Sequence, residues 1–468
     1  MNQPARTFVL AALVVGILLS LYQLPTLSVG GIELRPVRLL SGLLPEPTDR
    51  FADSITLTQS TPAPVRKTEN GGEAEFTERW SDGVMPIVDY AGGQAGGMDH
   101  FYEALATIDS LQRPVRIAYY GDSYIEGDIL TADLREMFQA KFGGNGVGWV
   151  DCGSEIVAAR RSIVQRYSGL TEFLSVKPPF DRRLQGPAER YYTASEGARI
   201  HTAGTRFYAH AARWSVSRLF LRTRSSVNVE ATTGRGHSVV QRFEADPQVQ
   251  MFEITDTTRA VDYRFSNVGE RTELLGMALE SERGVVLDNF SMRGSSGVTL
   301  ARIPLPTLKD FNRLRPYDLI VIHFGLNNAV SGNTAPVLRL YMAKMKRVVR
   351  HLREAFPQAS ILVMSVPDRE QRSADGIRTL REVHQLVAYQ QRLAQECGVA
   401  YLNFFSAMGG EGSVADLVAH GMANKDYTHL SFGGGRVVAR RIFPSFVEGL
   451  DNYRQRRKAV QLKNRTGK

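Results

Sequence analysis

The stretch RIAYYGDSYIEGDIL, residues 116–130, decides how the rest of the sequence is interpreted. A short apolar run enters a Gly121-Asp122-Ser123 turn, and residues 131–142 (TADLREMFQAKF) follow with helical spacing. This pattern predicts a β-turn-α unit with Ser123 at a strand's carboxyl end and a helix N-terminus, where developing negative charge is favoured. Either the Gly-Asp-Ser segment is an ordinary turn, or Ser123 is presented there as a nucleophile.

The same alternation of strand and helix returns in the C-terminal half of the chain. The segments YDLIVIHFGL, ASILVMSVP and VAYLNFF are typical of strands, and the segments between and after them have helical spacing. Continuous apolar strands alternating with helices predict a parallel sheet that is covered on both faces. Between the two halves, residues 153–284 contain short period-two segments separated by Gly, Asn and Thr, which predict an antiparallel β-sandwich.

The N-terminal segment is strongly apolar. No charged residue occurs from Thr7 to Ile32, and Arg6 precedes the run. Because about 20 apolar residues span a bilayer and the positive flank stays in the cytoplasm, we expect residues 1–32 to form a membrane anchor with the bulk of the chain exported. No clear cleavage motif follows, which favours an uncleaved anchor over a cleaved signal. Residues 33–97, rich in Pro, Gly, Ser and Thr, are expected to form a linker.

Composition and charge narrow the possible functions. The net charge of +9 comes mostly from the last seventeen residues, which hold seven Lys/Arg and no acid, so 9 − 7 leaves +2 elsewhere. Most of the positive charge therefore lies in a basic tail, 451–468. This tail is either solvated or in contact with an anionic polymer or lipid. No nucleic-acid partner is indicated. Cys152 and Cys397 could pair in an exported protein, but the sequence leaves this open. No Cys/His cluster has the spacing of a zinc site.

A serine nucleophile needs a base, and the base needs an orienting acid. In NKDYTHLSFGGG, Asp426 lies three residues before His429 and just ahead of the last predicted helix, so its carboxylate can reach one imidazole nitrogen. A rival pair, Asp416 and His420, has the i, i+4 spacing of a surface helical pair and ranks second.

Two further segments offer hydrogen-bond donors for an oxyanion. Asn327 follows a predicted strand and Gly325 in HFGLNNAVSG, where its side-chain amide can point into a site. Gly294, in FSMRGSSGVTL, follows another strand and could offer a bare backbone N–H. Each of these residues alone could equally be an ordinary turn residue.

In their order along the chain, these residues resemble the four blocks of the SGNH/GDSL hydrolase superfamily. The resemblance covers roughly residues 116–450 without the insert, and Asn328 departs from it where the family often has an acid. The blocks read Gly121-Asp122-Ser123, Gly294, Gly325-Leu326-Asn327 and Asp426-Tyr427-Thr428-His429.

The resemblance implies an α/β, SGNH-type three-layer fold and a catalytic triad in which Ser123 is the nucleophile, His429 the base and Asp426 its orienting acid. The oxyanion hole would consist of the Ser123 and Gly294 backbone N–H groups and the Asn327 side chain. Neither a metal nor an organic cofactor is implied. The supporting residues of the site would be Gly121, Asp122 and Gly325.

An all-β insert directly after the first helix also resembles the arrangement in bacterial peptidoglycan O-acetylesterases. This implies a carbohydrate-binding-like insert and an esterase that removes O-acetyl groups from a cell-wall or exported polysaccharide. Alternatively, the acyl-enzyme would pass its acetyl group to a sugar, as in SGNH acetyltransferases that work with a membrane-bound acyltransferase partner. A non-enzymatic glycan-binding scaffold and a lipase rank lower, because all catalytic residues are present and no long apolar lid segment is evident.

The expected location is the inner membrane, with a single span and the catalytic domain in the periplasm. The expected partners are an acetylated glycan and the membrane itself. The predicted parts of the chain are the anchor (1–32), the linker (33–97), the first part of the hydrolase domain (98–152), the inserted β-sandwich (153–284), the second part of the hydrolase domain (285–450) and the basic tail (451–468).

Overall fold

The computed structural model describes residues 27–29, 32–34, 76–373 and 376–466. The chain divides into two compact units, Met1–Ile55 and Thr56–Lys468. What is described of the first unit is a short antiparallel pair of strands, β1 (Leu27–Val29) and β2 (Ile32–Leu34). The rest of the predicted membrane anchor lies outside the described residues. No helix among those that are described is both long and apolar enough to cross a bilayer.

A six-stranded sheet forms the centre of the second unit. Its strands are β3 (Ile87–Asp89), β4 (Val115–Gly121), β14 (Val285–Ser291), β15 (Leu319–His323), β16 (Ser360–Met364) and β19 (Ala400–Leu402). The order across the sheet is β14-β4-β15-β16-β19-β3, and all neighbours are parallel except the edge strand β3. Every residue of β4, β15 and β16 is buried, as a sheet covered on both faces requires.

Helices cover this sheet in two groups. The first group packs through aromatic rings, with ring centroids of Phe101 and Phe138 6.5 Å and 5.3 Å from that of Phe446. It contains α1 (Asp99–Ala106), α2 (Thr131–Phe142) and α8 (Phe432–Thr466). The second group contains α3 (Leu305–Leu314), α4 (Ala335–Ala355) and α5 (Arg381–Cys397). The predicted three-layer α/β arrangement is therefore confirmed.

Short elements lie near the carboxyl edge of the sheet. A hairpin follows β16, and two short helices connect β19 to α8. They are β17 (Glu370–Ser373), β18 (Gly376–Thr379), α6 (Phe404–Ala407) and α7 (Ser413–Ala419).

The chain between α2 and β14 forms a nine-stranded antiparallel sheet. Its strands are β5 (Gly148–Val150), β6 (Ile163–Leu174), β7 (Arg190–Gly204), β8 (Trp214–Thr223), β9 (Val227–Thr233), β10 (Ser238–Phe243), β11 (Asp246–Thr258), β12 (Ala260–Ser266) and β13 (Thr272–Glu280). The order is β10-β9-β12-β7-β13-β8-β11, with β5 on β13 and β6 on β7. The ends of this sheet meet, since the Phe252 ring lies 6.2 Å from Phe243 and 6.1 Å from Tyr263. The predicted sandwich is thus one continuous sheet folded over its own core.

This inserted sheet shares a core with the central α/β layers. Strand β5 begins before the predicted boundary at residue 153 and pairs with β13. The Trp149 ring of β5 lies 5.6 Å from Phe220 of the insert, and 5.2 Å from Phe290 and 5.8 Å from Phe311 of the central layers. The insert is therefore joined to the central α/β domain by apolar packing and is not a separately packed module.

A buried ion network crosses the same junction. Arg315, before β15, pairs with Glu280 of β13 and with Asp288 of β14, and all three side chains are fully buried. Arg116 of β4 also pairs with Glu280, at 2.7 Å. Burial alone would raise the pKa of Glu280, but the guanidinium groups of Arg116, Arg315 and Arg218 hold that pKa well below its usual value. The insert is thus tied to the parallel sheet by fully desolvated charges.

Parts of both predicted appendages are ordered against the central α/β domain. Strand β3 lies within the predicted linker, 33–97, and pairs with β19, and helix α8 continues past residue 451 to Thr466. The Asn452 side chain accepts from the Arg79 N–H and donates to its carbonyl, both at 2.9 Å. These contacts leave little local signal in the sequence, because a three-residue strand in a Gly-rich stretch and a helix rich in basic residues have weak patterns.

The two cysteines do not form a disulfide. Cys152 is buried in the core of the insert, whereas Cys397 ends α5 in the central α/β layers, and both are free thiols. The sequence left open whether Cys152 and Cys397 pair, and in this structure they do not.

Candidate active site

Strand register brings three of the four sequence blocks together. Gly121, the last residue of β4, is aligned with the last residues of β14 and β15. Ser123, Gly294 and Asn327 follow these aligned strand ends by a few residues each. Because the carboxyl ends of parallel strands form one edge, the three residues meet there, where ligands of open α/β sheets bind.

The fourth block completes a hydrogen-bonded triad. The Ser123 Oγ lies 2.9 Å from the His429 Nε2, and the His429 Nδ1 lies 2.8 Å from the Asp426 Oδ2. The other Asp426 oxygen accepts from the backbone N–H groups of Thr428 and His429, at 3.0 and 3.1 Å. Partial burial would raise the pKa of Asp426, but these hydrogen bonds hold it below its usual value. The charged carboxylate can thus fix the ring with Nε2 turned toward the serine.

The rival pair is not part of this arrangement. His420 follows α7, and its Nδ1 donates to the backbone carbonyl of Asp416 at 2.7 Å, as expected for a surface helical turn. The structure therefore brings Asp426 and His429 to Ser123, and leaves Asp416 on α7 and His420 directly after it.

The turn that carries Ser123 is held by its neighbours. The buried Asp122 carboxylate accepts from the Tyr124 N–H at 3.0 Å and from the Leu326 N–H. Burial raises the pKa of Asp122 to about 6. Glycine fits closely at position 121, because a Cβ there would lie 2.8 Å from the Ile125 side chain and 3.2 Å from the His323 carbonyl. These contacts connect the serine turn to the turn that carries Asn327.

The helix expected directly at Ser123 begins later. A 3₁₀ turn, Glu126–Asp128, separates the serine from α2, which starts at Thr131. Gly127 and Asp128 both have left-handed φ values, 66° and 67°, and they interrupt any continuous helix. Stabilisation by the N-terminus of α2 therefore cannot be assigned to Ser123, and the donors for an oxyanion must come from the neighbouring turns.

Three such donors are present at the edge. Neither the Ser123 N–H nor the Gly294 N–H has an acceptor among the residues described. The Asn327 amide donates one N–H to the Ser295 carbonyl at 2.9 Å, which leaves its second N–H for a ligand. Gly325 has a φ of 132°, which favours glycine and turns the chain so that Asn327 is exposed. The arrangement suits a carbonyl oxygen that becomes negatively charged.

The sequence did not point to Arg369, which organises two of these segments. Its Nη1 donates to the carbonyls of Leu326 and Ala329, at 3.0 and 3.1 Å, on either side of Asn327. The next residue, Glu370, donates its backbone N–H to the Tyr427 carbonyl at 3.1 Å, within the Asp426–His429 loop. One segment after β16 thus holds both the amide turn and the histidine loop. An arginine just past a strand's carboxyl end was the available signal.

No group of three or more His, Cys, Asp and Glu side chains is placed to hold a metal ion in the described ranges.

Comparisons with known proteins found one family model and several solved structures. The model of the GDSL-like lipase/acylhydrolase family matches residues 254–436, which include three of the four blocks but not Ser123. A solved structure of a peptidoglycan O-acetylesterase has 18% sequence identity and a TM-score of 0.64 and covers 78% of this chain and 99% of its own. No curated protein matches the sequence.

Other solved structures are much less similar. A family two carbohydrate esterase from Cellvibrio japonicus has 10% identity and a TM-score of 0.23, and covers 62% of this chain and 99% of its own. One from Clostridium thermocellum, in complex with cellohexaose, has 10% identity and a TM-score of 0.26, and covers 64% and 99%. The family match over residues 254–436 and the fold together indicate a resemblance to the GDSL-like acylhydrolases. The fold is similar to that of the peptidoglycan O-acetylesterase.

Proposed function

We propose that the protein is a serine esterase that removes O-acetyl groups from a cell-wall or exported polysaccharide. The observation that carries this proposal is the Ser123–His429–Asp426 array, with distances of 2.9 and 2.8 Å, at the carboxyl edge of the sheet. Acyl transfer from an ester needs a nucleophile, a base held in one orientation and donors for the oxyanion, and this edge offers all three.

In the first half of the reaction, the Ser123 Oγ attacks the acetyl carbonyl carbon while the His429 Nε2 takes the hydroxyl proton. Asp426 holds the ring through Nδ1–H and stabilises the imidazolium that forms. The negative oxygen of the tetrahedral intermediate accepts from the Ser123 N–H, the Gly294 N–H and the free N–H of Asn327. His429 then gives its proton to the sugar oxygen, the carbon–oxygen bond breaks, and the deacetylated glycan leaves.

In the second half, a water molecule replaces the sugar. His429 takes a proton from this water, which attacks the acetyl carbon bound to Ser123. Collapse of the second tetrahedral intermediate releases acetate and returns the proton to the Ser123 Oγ. No redox partner or external group is consumed besides water.

Hydrolysis is favoured over acetyl transfer by the openness of the triad. The side chains of His429 and Asp426 are 36% and 49% exposed, so water reaches the base directly. A transferase must keep water from its acyl-enzyme until a sugar hydroxyl arrives. Transfer to a glycan, with a membrane-bound acyltransferase supplying the acetyl group, is the second candidate. For either activity, we propose that residues 1–32 tether the protein to the inner membrane with the catalytic domain in the periplasm.

The test measures acetate release by purified full-length protein from O-acetylated peptidoglycan and from a small acetate ester. We expect release from both, and loss of both in Ser123→Ala and in His429→Ala. The double variant Asp416→Ala/His420→Ala is the matched control, and its activity should equal that of the wild type. Undiminished release by Ser123→Ala would disprove the proposal. Transfer of a labelled acetyl group to glycan without release of acetate would favour the transferase.

A further inference from the structure

A cleft of about 450 Å³ lies outside the catalytic edge, between the 3₁₀ turn Val298–Arg302 and helix α4. The cleft is lined by four exposed cationic side chains, those of Arg302, Lys344, Arg347 and Arg350. The only acid of its lining, Glu354, lies 3.7 Å from Lys309. The lining therefore carries a strong excess of positive charge.

These four cations lack neutralising partners. Within 76–373 and 376–462, none of them has a carboxylate oxygen within 4.0 Å. Outside the last seventeen residues the chain has a net charge of only +2, so four unpaired cations around one concavity are a local concentration rather than the average of the surface. Like charges held together repel one another, so an anion that enters such a cluster stabilises it.

Hydrogen bonds connect helix α4, one wall of the cleft, to the loop beside Asn327 at the catalytic edge. The Asn327 amide donates to the Ser295 carbonyl, and the Tyr341 hydroxyl of α4 donates to the Ser296 carbonyl at 2.8 Å. Lys344 and Arg347 follow Tyr341 along the same helix. With a rise of about 1.5 Å per residue, Arg347 lies roughly 9 Å along α4 from Tyr341. The cations therefore lie on the helix that contacts the loop beside Asn327, displaced along that helix from the contact.

We propose that this cleft binds carboxylate or phosphate groups of an anionic glycan, while another part of the same chain presents its acetyl ester to Ser123. The proposal rests on the proposed esterase function and names the class of its substrate. The concave shape favours a polymer chain over a flat membrane surface, since the cations line a hollow that a narrow chain can enter. The charged groups give affinity without taking part in the chemistry.

The experiment compares full-length wild-type protein with Arg347→Gln/Arg350→Gln. The control, Arg235→Gln/Arg242→Gln, makes the same change in net charge but alters arginines of the β9–β10 hairpin that do not line the cleft. Binding is measured by calorimetry on polygalacturonate and on neutral dextran of similar length, with Ser123→Ala as background so that no ester is consumed. We expect the cleft variant to bind polygalacturonate about tenfold more weakly than the control at low salt. At high salt the two variants should have the same affinity for polygalacturonate, and their affinities for dextran should be equal throughout.

Kinetics provide the second readout. On acetylated polygalacturonate, KM of the cleft variant should rise by a similar factor, while kcat on a small acetate ester stays at the wild-type value. Equal affinity of the cleft and control variants for polygalacturonate would overturn the proposal. So would charge-dependent binding to vesicles of phosphatidylglycerol and phosphatidylcholine, lost in the cleft variant, without binding to polygalacturonate. That result would assign the cleft to a membrane surface.

The two proposals fail separately. If Ser123→Ala abolishes acetate release but the cleft variant binds polygalacturonate like the control, the esterase stands and the anionic subsite does not. If the cleft binds polygalacturonate but the wild type releases no acetate from any ester, the subsite stands and the esterase does not.

Discussion

The catalytic edge and the junction below the insert both rely on charged side chains, but in opposite surroundings. At the edge, Asp426 and His429 are about half and one-third exposed and lie three residues apart. At the junction, Arg315, Glu280 and Asp288 are fully buried and come from three separate segments of the second unit. An ion pair therefore contributes differently to stability in the two regions.

Solvent explains the difference. An exposed ion pair is screened by water and contributes about 0–1 kcal/mol to stability, so the triad can be altered with little effect on folding. A buried ion that loses its partner keeps its full desolvation penalty, so the junction responds strongly to a single change. The edge is thus expected to control activity and the junction to control stability, and the following variants test that separation.

The largest expected effect is on activity, in Ser123→Ala. Loss of the nucleophile should lower kcat by about 10⁴–10⁶-fold, because the oxyanion donors and substrate binding alone retain only a small part of the catalysis. The denaturant midpoint should stay at the wild-type value, since the Ser123 side chain makes one hydrogen bond, to His429, at a solvent-accessible edge. Steady-state kinetics measure kcat, and urea unfolding measures the denaturant midpoint. A variant that lost activity because it unfolded would break the proposed separation.

The next effect is on stability, in Arg315→Leu. This change leaves Glu280 and Asp288 buried with fewer cations, and we expect it to lower the free energy of unfolding by about 3–5 kcal/mol. Arg454→Leu, which removes an exposed pair with Asp451 at 3.5 Å, is the matched control and should change it by less than about 1 kcal/mol. Urea unfolding measures both. Equal effects of the two substitutions would show that burial does not distinguish the junction.

A smaller effect is expected for Asn327→Ala, which tests the oxyanion donors apart from the nucleophile. Removing one donor should lower kcat by about 10²–10³-fold with little change in KM, since the bond strengthens as charge develops. The free energy of unfolding should fall by only about 1 kcal/mol, for the lost hydrogen bond to Ser295. If kcat is unchanged while KM rises, Asn327 binds substrate and does not stabilise the transition state.

The smallest effect concerns Asp122, a buried carboxylate at the exposed edge. Its pKa is raised from 3.8 to about 6, so the folded protein holds this proton more tightly than the unfolded chain. The stability this gives is fully present below pH 3.8 and is lost as the pH rises to about 6. Asp122→Asn cannot ionise, so its stability relative to wild type should increase across that window by ~2–3 kcal/mol. Unfolding free energies measured at several pH values check this, and parallel curves for the two proteins would contradict it.

Local patterns predicted the edge well because each block is short and follows a strand. The helix over residues 131–142 has the predicted bounds, and the spacing of Asp426 and His429 places the carboxylate on the imidazole. Strand register then brings Ser123 and Asn327 together, which follows from parallel pairing once the strands are identified.

Long-range contacts could not be predicted in this way. The Asp128 carboxylate pairs with Arg135 and with Arg160 of the insert, at 3.0 and 2.8 Å, yet no spacing in the sequence links Arg160 to it. Arg369 reaches two turns from a third segment, and the ions of the junction come from separate segments. These contacts depend on where the tertiary fold places each segment, and hydrophobic periodicity carries no information about that.

The most direct test of the central claim is to trap the acyl-enzyme. Full-length protein is mixed with a small acetate ester, quenched in acid and digested, and the peptide that contains Ser123 is examined by mass spectrometry. The account predicts one acetyl group on Ser123 in the wild type, and none on this peptide in Ser123→Ala. Acetate release without acetylation of Ser123, or acetylation of a different residue during turnover, would contradict it.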